Sequence, residues 1–491
     1  MPSTQPSAIS RHPTGITGLD HITMGGLPKG RVTLVSGTSG SAKTVLAGQF
    51  LAAGITDYRE PGVFVTCEEP AAEIRRNLSS FGWNIGQWEE NRSWAFIDAA
   101  PEPEIETTEC GSYDLGGLLA RIEYMVKEIG ARRVVLDSLG AIFSQLTDTT
   151  TVRRELLRIA ARLRALGVTA LLTSERLEEY GEIARFGVEE FAADNVIVLR
   201  NCLADERRRR TIEILKFRGM THHKGEFPFT VLAAEGVVIL PMSAMELEQK
   251  SSSVRISSGD EELDRMCGGG FFRDSIILVS GATGAGKTLM TTEFLASGCA
   301  RGERSLLFAY EESREQLNRN AAGWGIDFAR LEREGLLKIV CAYPEATGLE
   351  EHLVRMEKAI DEFRPQRVAV DSLSALERIG SDKWFREFVI ALASSIKHRE
   401  VTGFFTASTS TLMGGASVTE THISTLTDSI ILLRYVETAG IIRRALTVLK
   451  MRGSGHDTRI REYQIDDQGM QLGQPFTRIS GILAGNPSQS G

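Results

Sequence analysis

The sequence predicts two tandem α/β domains, each a mostly parallel twisted sheet flanked by helices. Three observations predict it. Short apolar, β-branched runs alternate with helical stretches along the chain, the pattern of strand–helix–strand units. One set of motifs occurs twice in the same order, the mark of an internal duplication. A glycine-rich loop follows an early β-rich run in each half, the context of a phosphate cradle.

The repeat runs element by element. Gly15-Ile16-Thr17-Gly18-Leu19-Asp20 leads into Gly25-Gly26-Leu27-Pro28, and Ser257-Ser258-Gly259 with Leu263-Asp264 leads into Gly268-Gly269-Gly270-Phe271. Residues 32–36 and 276–280 read as strands that enter the glycine-rich loops. Residues 63–67 and 306–310 read as second strands, followed by Glu68-Glu69 and Glu311-Glu312. Residues 153–166 and 349–363 carry apolar side chains at helical spacing. Val134-Val135-Leu136-Asp137-Ser138 recurs as Val368-Ala369-Val370-Asp371-Ser372, and residues 215–219 recur as 449–453. The predicted domains are 1–248 and 254–491, joined near Lys250-Ser251-Ser252-Ser253, a linker composition. The path from Glu69 to Asp137 is about nine residues longer than that from Glu312 to Asp371. The extra length is expected at residues 103–114. A surface loop in one copy suggests a task of that copy alone; a neutral insertion is the alternative.

Composition excludes several classes. The chain has 491 residues, 42% hydrophobic and 24% charged, a globular balance. Lys+Arg number 56 against 64 Asp+Glu, a formal net charge of −8, which weighs against a dedicated duplex-DNA binder. No apolar run reaches the ~18 residues a membrane span needs, and residues 1–11 lack a signal-peptide core. A cytoplasmic location is expected. The 6 cysteines form no CxxC and no metal-ligand spacing, which argues against a disulfide scaffold or a structural zinc site.

Gly281-Ala282-Thr283-Gly284-Ala285-Gly286-Lys287-Thr288 fits GxxxxGK[ST] at every fixed position. Backbone N–H groups of such a loop converge on phosphate oxygens at a helix N-terminus. Lys287 is expected on the β/γ-phosphates of ATP and the Thr288 hydroxyl on Mg²⁺. The first copy reads Gly37-Thr38-Ser39-Gly40-Ser41-Ala42-Lys43-Thr44. Ala42 replaces a glycine, and its methyl restricts φ > 0. Lys43 and Thr44 remain, so nucleotide binding is expected here too; a degenerate copy is the alternative. Asp137 and Asp371 each end an apolar strand, where a carboxylate holds the Mg²⁺ water shell. Glu68, Glu69, Glu311 and Glu312 follow the second strands, where a carboxylate orients a water or accepts a hydroxyl proton. The pairs Lys216/Arg218 and Lys450/Arg452 alternate on a late strand and so share a face. They fit trans-acting fingers in a closed ring; a cationic edge that deters aggregation is the alternative.

With both cradles, both acidic pairs and both Lys-x-Arg strands assembled, the sequence resembles the KaiC family, tandem RecA-like P-loop ATPases of the cyanobacterial circadian clock with relatives in other prokaryotes. The resemblance covers residues 14–481. It is carried by residues 271–278, 308–314 and 338–345 and by His422-Ile423-Ser424-Thr425. It implies a double-ring homohexamer with ATP between subunits. It implies a slow ATPase in the first domain, called CI. In the second, CII, it implies a serine/threonine autokinase and autophosphatase acting on Ser424 and Thr425. The nucleotide contacts it implies include Val45, Ser80, Lys216, Phe217, Arg218 and His222 in the first ring. In the second they include Leu289, Trp324, Lys450, Met451, Arg452, Ser454, Gly455 and His456. The metal contacts it implies are Thr44, Thr288 and Glu311.

Aligning the copies places Glu190 and Phe191 opposite Ser424 and Thr425. Phosphorylation adds about −1.5 to −2 charge, so only the second copy is switchable there. Glu420 follows Thr419 where the family usually has Asp, which leaves the finer tuning of the phosphosites open. Only residues 482–491 follow Gly481, and they carry no acidic residue, whereas clock members have a long tail that captures KaiA. KaiA-type stimulation is therefore not expected. The extra first-copy loop, with Tyr113-Asp114-Leu115 in or beside it, resembles the region that docks KaiB, so a KaiB-like partner is expected.

Two rival readings stand beside this one. A RecA-like recombinase or helicase finds support in Arg207-Arg208-Arg209-Arg210, which a nucleic-acid backbone could engage. Alternation along a strand splits that run between two faces, and no aromatic residues interleave it, so nucleic acid is not the expected partner. An ATP-gated scaffold without turnover is opposed by both intact acidic pairs.

Overall fold

A computed structural model of the chain describes residues 9–99, 115–143, 148–204, 206–241, 251–409, 423–438, 440–477, 479–482 and 488–489. The expected extra loop at 103–114, the residues Thr419, Glu420 and His422, and most of 482–491 lie outside the described residues. The chain divides into two compact units, Met1–Ala244 and Met245–Gly491.

The first unit is built on a nine-stranded sheet. From one edge, Trp94–Asp98, Gly62–Thr66, Arg133–Asp137, Thr169–Glu175, Val32–Gly37 and Asn195–Ala204 run parallel. Arg207–Phe217, Glu226–Leu232 and Gly236–Ile239 then continue antiparallel. The second unit repeats this order. Leu337–Cys341, Ser305–Ala309, Arg367–Asp371, Thr402–Ser408, Ile276–Gly281 and Ser429–Thr438 are parallel. Ile441–Met451, Arg461–Asp466 and Gly469–Pro475 are antiparallel. The strands Val32–Gly37 and Ile276–Gly281 are buried at every position. Sheets covered on both faces demand such continuous apolar runs.

The covering helices follow from the pattern. Leu349–Phe363 forms with the expected bounds. The helix expected at 153–166 is Thr149–Ala165 and begins earlier, because the Asp148 carboxylate accepts from the Thr150 and Thr151 N–H groups and caps it. The helices after the two loops, Lys43–Tyr58 and Lys287–Ala300, pack into the core along most of their length.

A fully buried arginine ties each of these helices to the sheet. Arg133 opens the strand that ends in Asp137. Its guanidinium donates to Glu60 at 2.8 Å and to the carbonyls of Pro13, Thr14 and Phe50 at 2.8, 3.1 and 2.9 Å. Arg367 repeats the arrangement with Glu303 at 2.7 Å and the carbonyls of Ser257 and Phe294 at 2.9 and 2.7 Å. Gly54 and Gly298 leave room for the arginine stems; a Cβ at either would stand 2.6 Å from the arginine Cδ.

Candidate active site

In each sheet the loop-bearing strand has parallel neighbours on both sides. The carboxyl ends of the parallel strands therefore converge at one rim, where open α/β sheets bind ligands. The glycine-rich loop, the acidic pair and the strand-end aspartate of each unit all meet there.

The loops are wound as the motif requires. Gly286 stands at φ 98°, ψ 19°, immediately before its helix. Ala42 holds the same left-handed conformation, φ 70°, ψ 27°, although an L-residue is strained there. The substitution has not unwound the cradle. Lys43 Nζ donates to the Gly37 and Thr38 carbonyls at 2.9 and 3.0 Å, and Lys287 Nζ to those of Gly281 and Ala282 at 2.8 and 3.0 Å. Each lysine is folded over its own loop, and burial lowers the pKa of each ammonium.

The aspartates are placed alike. Thr44 Oγ1 donates to Asp137 Oδ2 at 2.7 Å, and Thr288 Oγ1 to Asp371 Oδ2 at 2.7 Å. Thr173 and Thr406 donate to the other carboxylate oxygens. Burial raises both aspartate pKa values, and the threonine hydrogen bonds pull the other way. A buried carboxylate beside a threonine hydroxyl is a hard-oxygen donor set that fits a hydrated Mg²⁺.

The acidic pairs divide. Glu68 Oε1 accepts from Ser138 Oγ at 2.7 Å, while burial raises the pKa of Glu69. Glu312 Oε2 accepts from Asn320 Nδ2 at 2.9 Å and its pKa is raised by burial, with Asp371 adding to the push. Glu311 faces Arg378 at 3.7 Å. In the first unit these groups line a cavity of about 250 Å³, formed by Ser39, Gly40, Ala42–Val45, Glu68, Glu69, Asp137, Ser138 and Glu175 among others.

Ser80, Lys216, Phe217, Arg218 and His222 do not line that cavity. Lys216 Nζ donates instead to the Glu190 and Ala193 carbonyls at 2.7 and 2.8 Å. His222 stacks edge-on against Phe217 at 5.7 Å. In the second unit Lys450 Nζ donates to the Thr427 carbonyl at 2.7 Å and Arg452 Nη2 to the Thr425 carbonyl at 2.8 Å. Both Lys-x-Arg strands thus contact the segment that holds Ser424 and Thr425 or their counterparts. That segment is a short turn, Ile423–Thr425, in the second unit and the short helix Glu189–Ala192 in the first. Thr425 is exposed, and Phe191, opposite it in the alignment, is 57% exposed. Ser454, Gly455 and His456 follow the second Lys-x-Arg strand on the surface, and Trp324 caps the helix Arg314–Gly323.

Several site residues were invisible to motif reading. Ser138, Thr173 and Thr406 support the acidic groups from neighbouring strands. Thr173 and Thr406 sit at matching places in the two copies, and aligning the copies would have found them. Glu179 accepts from Thr38 Oγ1 at 2.6 Å, and Arg210 Nε donates to the Gly40 carbonyl at 3.2 Å. Arg208 donates to the Asn201 carbonyl at 2.8 Å. Two members of the arginine run therefore bind the chain's own backbone, one at the glycine-rich loop and one on the neighbouring strand. No helix among the described residues is long and apolar enough to cross a membrane.

Comparison with known proteins agrees with this doubled geometry. A family model described as the KaiC ATPase matches residues 12–244 and 256–475. The chain is 62% identical over 487 residues to circadian clock protein KaiC3 of Synechocystis sp. (strain ATCC 27184 / PCC 6803 / Kazusa), covering 99% of this chain and 96% of that relative. It is 54% identical over 489 residues to the circadian clock oscillator protein KaiC of Thermostichus vulcanus, covering 99% and 94%. It is also 54% identical over 479 residues to the KaiC of Prochlorococcus marinus (strain MIT 9313), covering 98% and 96%. Two nucleotide cradles on one repeated sheet, matched along nearly the whole chain, make it a member of the KaiC family of circadian clock ATPases.

Proposed function

We propose that the first domain hydrolyses ATP and that the second is a serine/threonine autokinase and autophosphatase. The asymmetry of two otherwise matched sites carries this reading. Both keep the lysine, the threonine–aspartate pair and the acidic residues, but only the second carries hydroxyls, Ser424 and Thr425, where the first has Glu190 and Phe191. The functional unit is a homohexamer with nucleotide between subunits. Lys216, Arg218, Lys450 and Arg452 reach a neighbour's nucleotide, a role supported for Lys216 and Arg218 by their position outside the first cavity's lining. In the second domain Glu311 accepts the proton as a hydroxyl of Ser424 or Thr425 from the adjacent subunit attacks the γ-phosphorus. In the first, Glu68, oriented by Ser138, polarises a water instead. Thr44 with Asp137, and Thr288 with Asp371 and Glu311, would hold Mg²⁺, which supplies charge neutralisation when bound. A KaiB-like protein docks on the first domain around residues 103–114, and the protein acts in the cytoplasm.

Intact mass and phosphopeptide mapping after incubation with Mg-ATP test this. Phosphate on Ser424 and Thr425 is expected, with at least about a hundredfold slower incorporation in Glu311→Gln. Normal incorporation in that variant, or an unmodified protein that still releases ADP, contradicts the autokinase assignment.

A further inference from the structure

We propose that Glu293 is a positioning residue for the second phosphate loop, a proton-dependent latch on the hairpin that closes over Gly286. The inference deepens the reading of that loop as a nucleotide site and rests on it.

The hairpin of Arg461–Asp466 and Gly469–Pro475 touches the loop directly. Tyr463 OH donates to the Ala285 carbonyl. A Cβ on Gly286 would stand 2.8 Å from Ile465 Cδ1 and 3.2 Å from Met470 Cε. The loop's left-handed glycine therefore has these two side chains as its wall. Glu293, on the helix Lys287–Ala300, holds the hairpin from below: its Oε1 accepts from the Met470 N–H at 2.8 Å. The approach is so close that a Cβ on Gly469 would lie 2.3 Å from that oxygen.

The first copy shows what this position requires. Gln49, six places after its loop lysine as Glu293 is after Lys287, locks the matching hairpin. Its Oε1 accepts from the Val237 N–H at 2.7 Å, and its Nε2 donates to the Glu235 and Val237 carbonyls at 3.0 and 3.1 Å. Gly236 gives way to Gln49 Oε1 as Gly469 does to Glu293. In the first copy one side chain supplies both the acceptor and the donor of this lock. An ionised glutamate can only accept; a protonated one also donates and reproduces the shape of glutamine.

The electrostatics agree. Burial pushes the Glu293 carboxyl up to about 7, the Met470 N–H pulls it down, and the charge of Asp260, ahead of the helix Glu261–Met266, adds to the push. Asp260 is the charged group facing it among the described residues; no cation offsets it. The folded chain thus keeps a proton that the unfolded chain releases near pH 4.5. The stability this gives is complete below about pH 4.5 and is lost as the pH rises through about 7.

Two measurements on the full chain test the latch. Without nucleotide, the denaturant midpoint of the second domain is followed from about pH 5 to about pH 8. The parent is expected to lose stability relative to Glu293→Gln as the pH rises; a difference that does not change with pH overturns the proposal. In the Lys43→Ala background, binding of a fluorescent ATP analogue is compared across the same range. Glu293→Gln is expected to match its parent at the acid end and to bind roughly fivefold or more tightly at the alkaline end. Equal affinity throughout overturns the coupling to the loop. If no analogue binds while the stability difference persists, the nucleotide reading fails and the proposed role of Glu293 at the loop fails with it, leaving a purely structural latch.

Discussion

Gly286→Ala writes the first copy's loop into the second and tests whether the left-handed residue before each helix governs nucleotide affinity. Gly286 stands at φ 98°. Holding an L-residue in that region costs about 1–2 kcal/mol, offset by about 0.4–1 kcal/mol for the freedom that glycine loses on folding. The new methyl also meets Ile465 Cδ1 at 2.8 Å and Met470 Cε at 3.2 Å. Moving these flexible ends adds about 1 kcal/mol. The net strain is about 1–2.6 kcal/mol, and the loop relieves it by leaving the conformation in which its N–H groups converge. The binding-competent fraction falls, and apparent affinity falls with it, by about tenfold. Ala42→Gly removes strain from a loop that already tolerates it, so affinity there rises by about threefold at most. The assay is titration with a fluorescent ATP analogue, in the Lys43→Ala background for the second loop and the Lys287→Ala background for the first. Unchanged affinity in Gly286→Ala, or weaker binding in Ala42→Gly, would refute the reasoning.

Two further outcomes follow from the packing. Ser138→Ala removes the 2.7 Å hydrogen bond that orients Glu68; ADP release by a Lys287→Ala chain is expected to slow about tenfold or more, with nucleotide affinity unchanged. Arg133→Met leaves the carbonyls of Pro13, Thr14 and Phe50 without the arginine donor and Glu60 with His12 alone, and a loss of about 2–4 kcal/mol is expected in denaturant unfolding of the first domain.

The parts of the site that are contiguous in sequence were legible. The two loops, the strand-end aspartates and the acidic pairs are local motifs, and the repeat supplied an internal control for each. The helix Leu349–Phe363 was legible because its apolar stripe is regular. Residues whose role depends on a neighbouring strand were not. Thr173 reaches Asp137 only because strands Arg133–Asp137 and Thr169–Glu175 pair in parallel. Glu179 and Arg210 reach the first loop from segments far along the chain. The arginine run looked like a cationic patch because a sequence shows charge but not the carbonyls that receive it. The latch at Gln49 and Glu293 escaped for the same reason: its partners lie at the far end of each domain's chain.

The buried arginines also have a mechanical meaning. Arg133 joins the start of the Asp137 strand to the helix that begins at the phosphate loop, and it does so at the end of the sheet remote from the rim. Arg367 does the same in the second domain. The start of each strand is thereby pinned to the middle of its helix, a tie that opposes sliding of one past the other and makes the pair one lever. Motion triggered at the rim has to be absorbed by parts outside that lever. In the first domain, the segment between Glu175 and the helix Glu189–Ala192 lies outside that lever and ends beside the carbonyls that Lys216 grips. The arginine thus makes the helix that starts at the glycine-rich loop and the strand that ends in Asp137 a single mechanical unit.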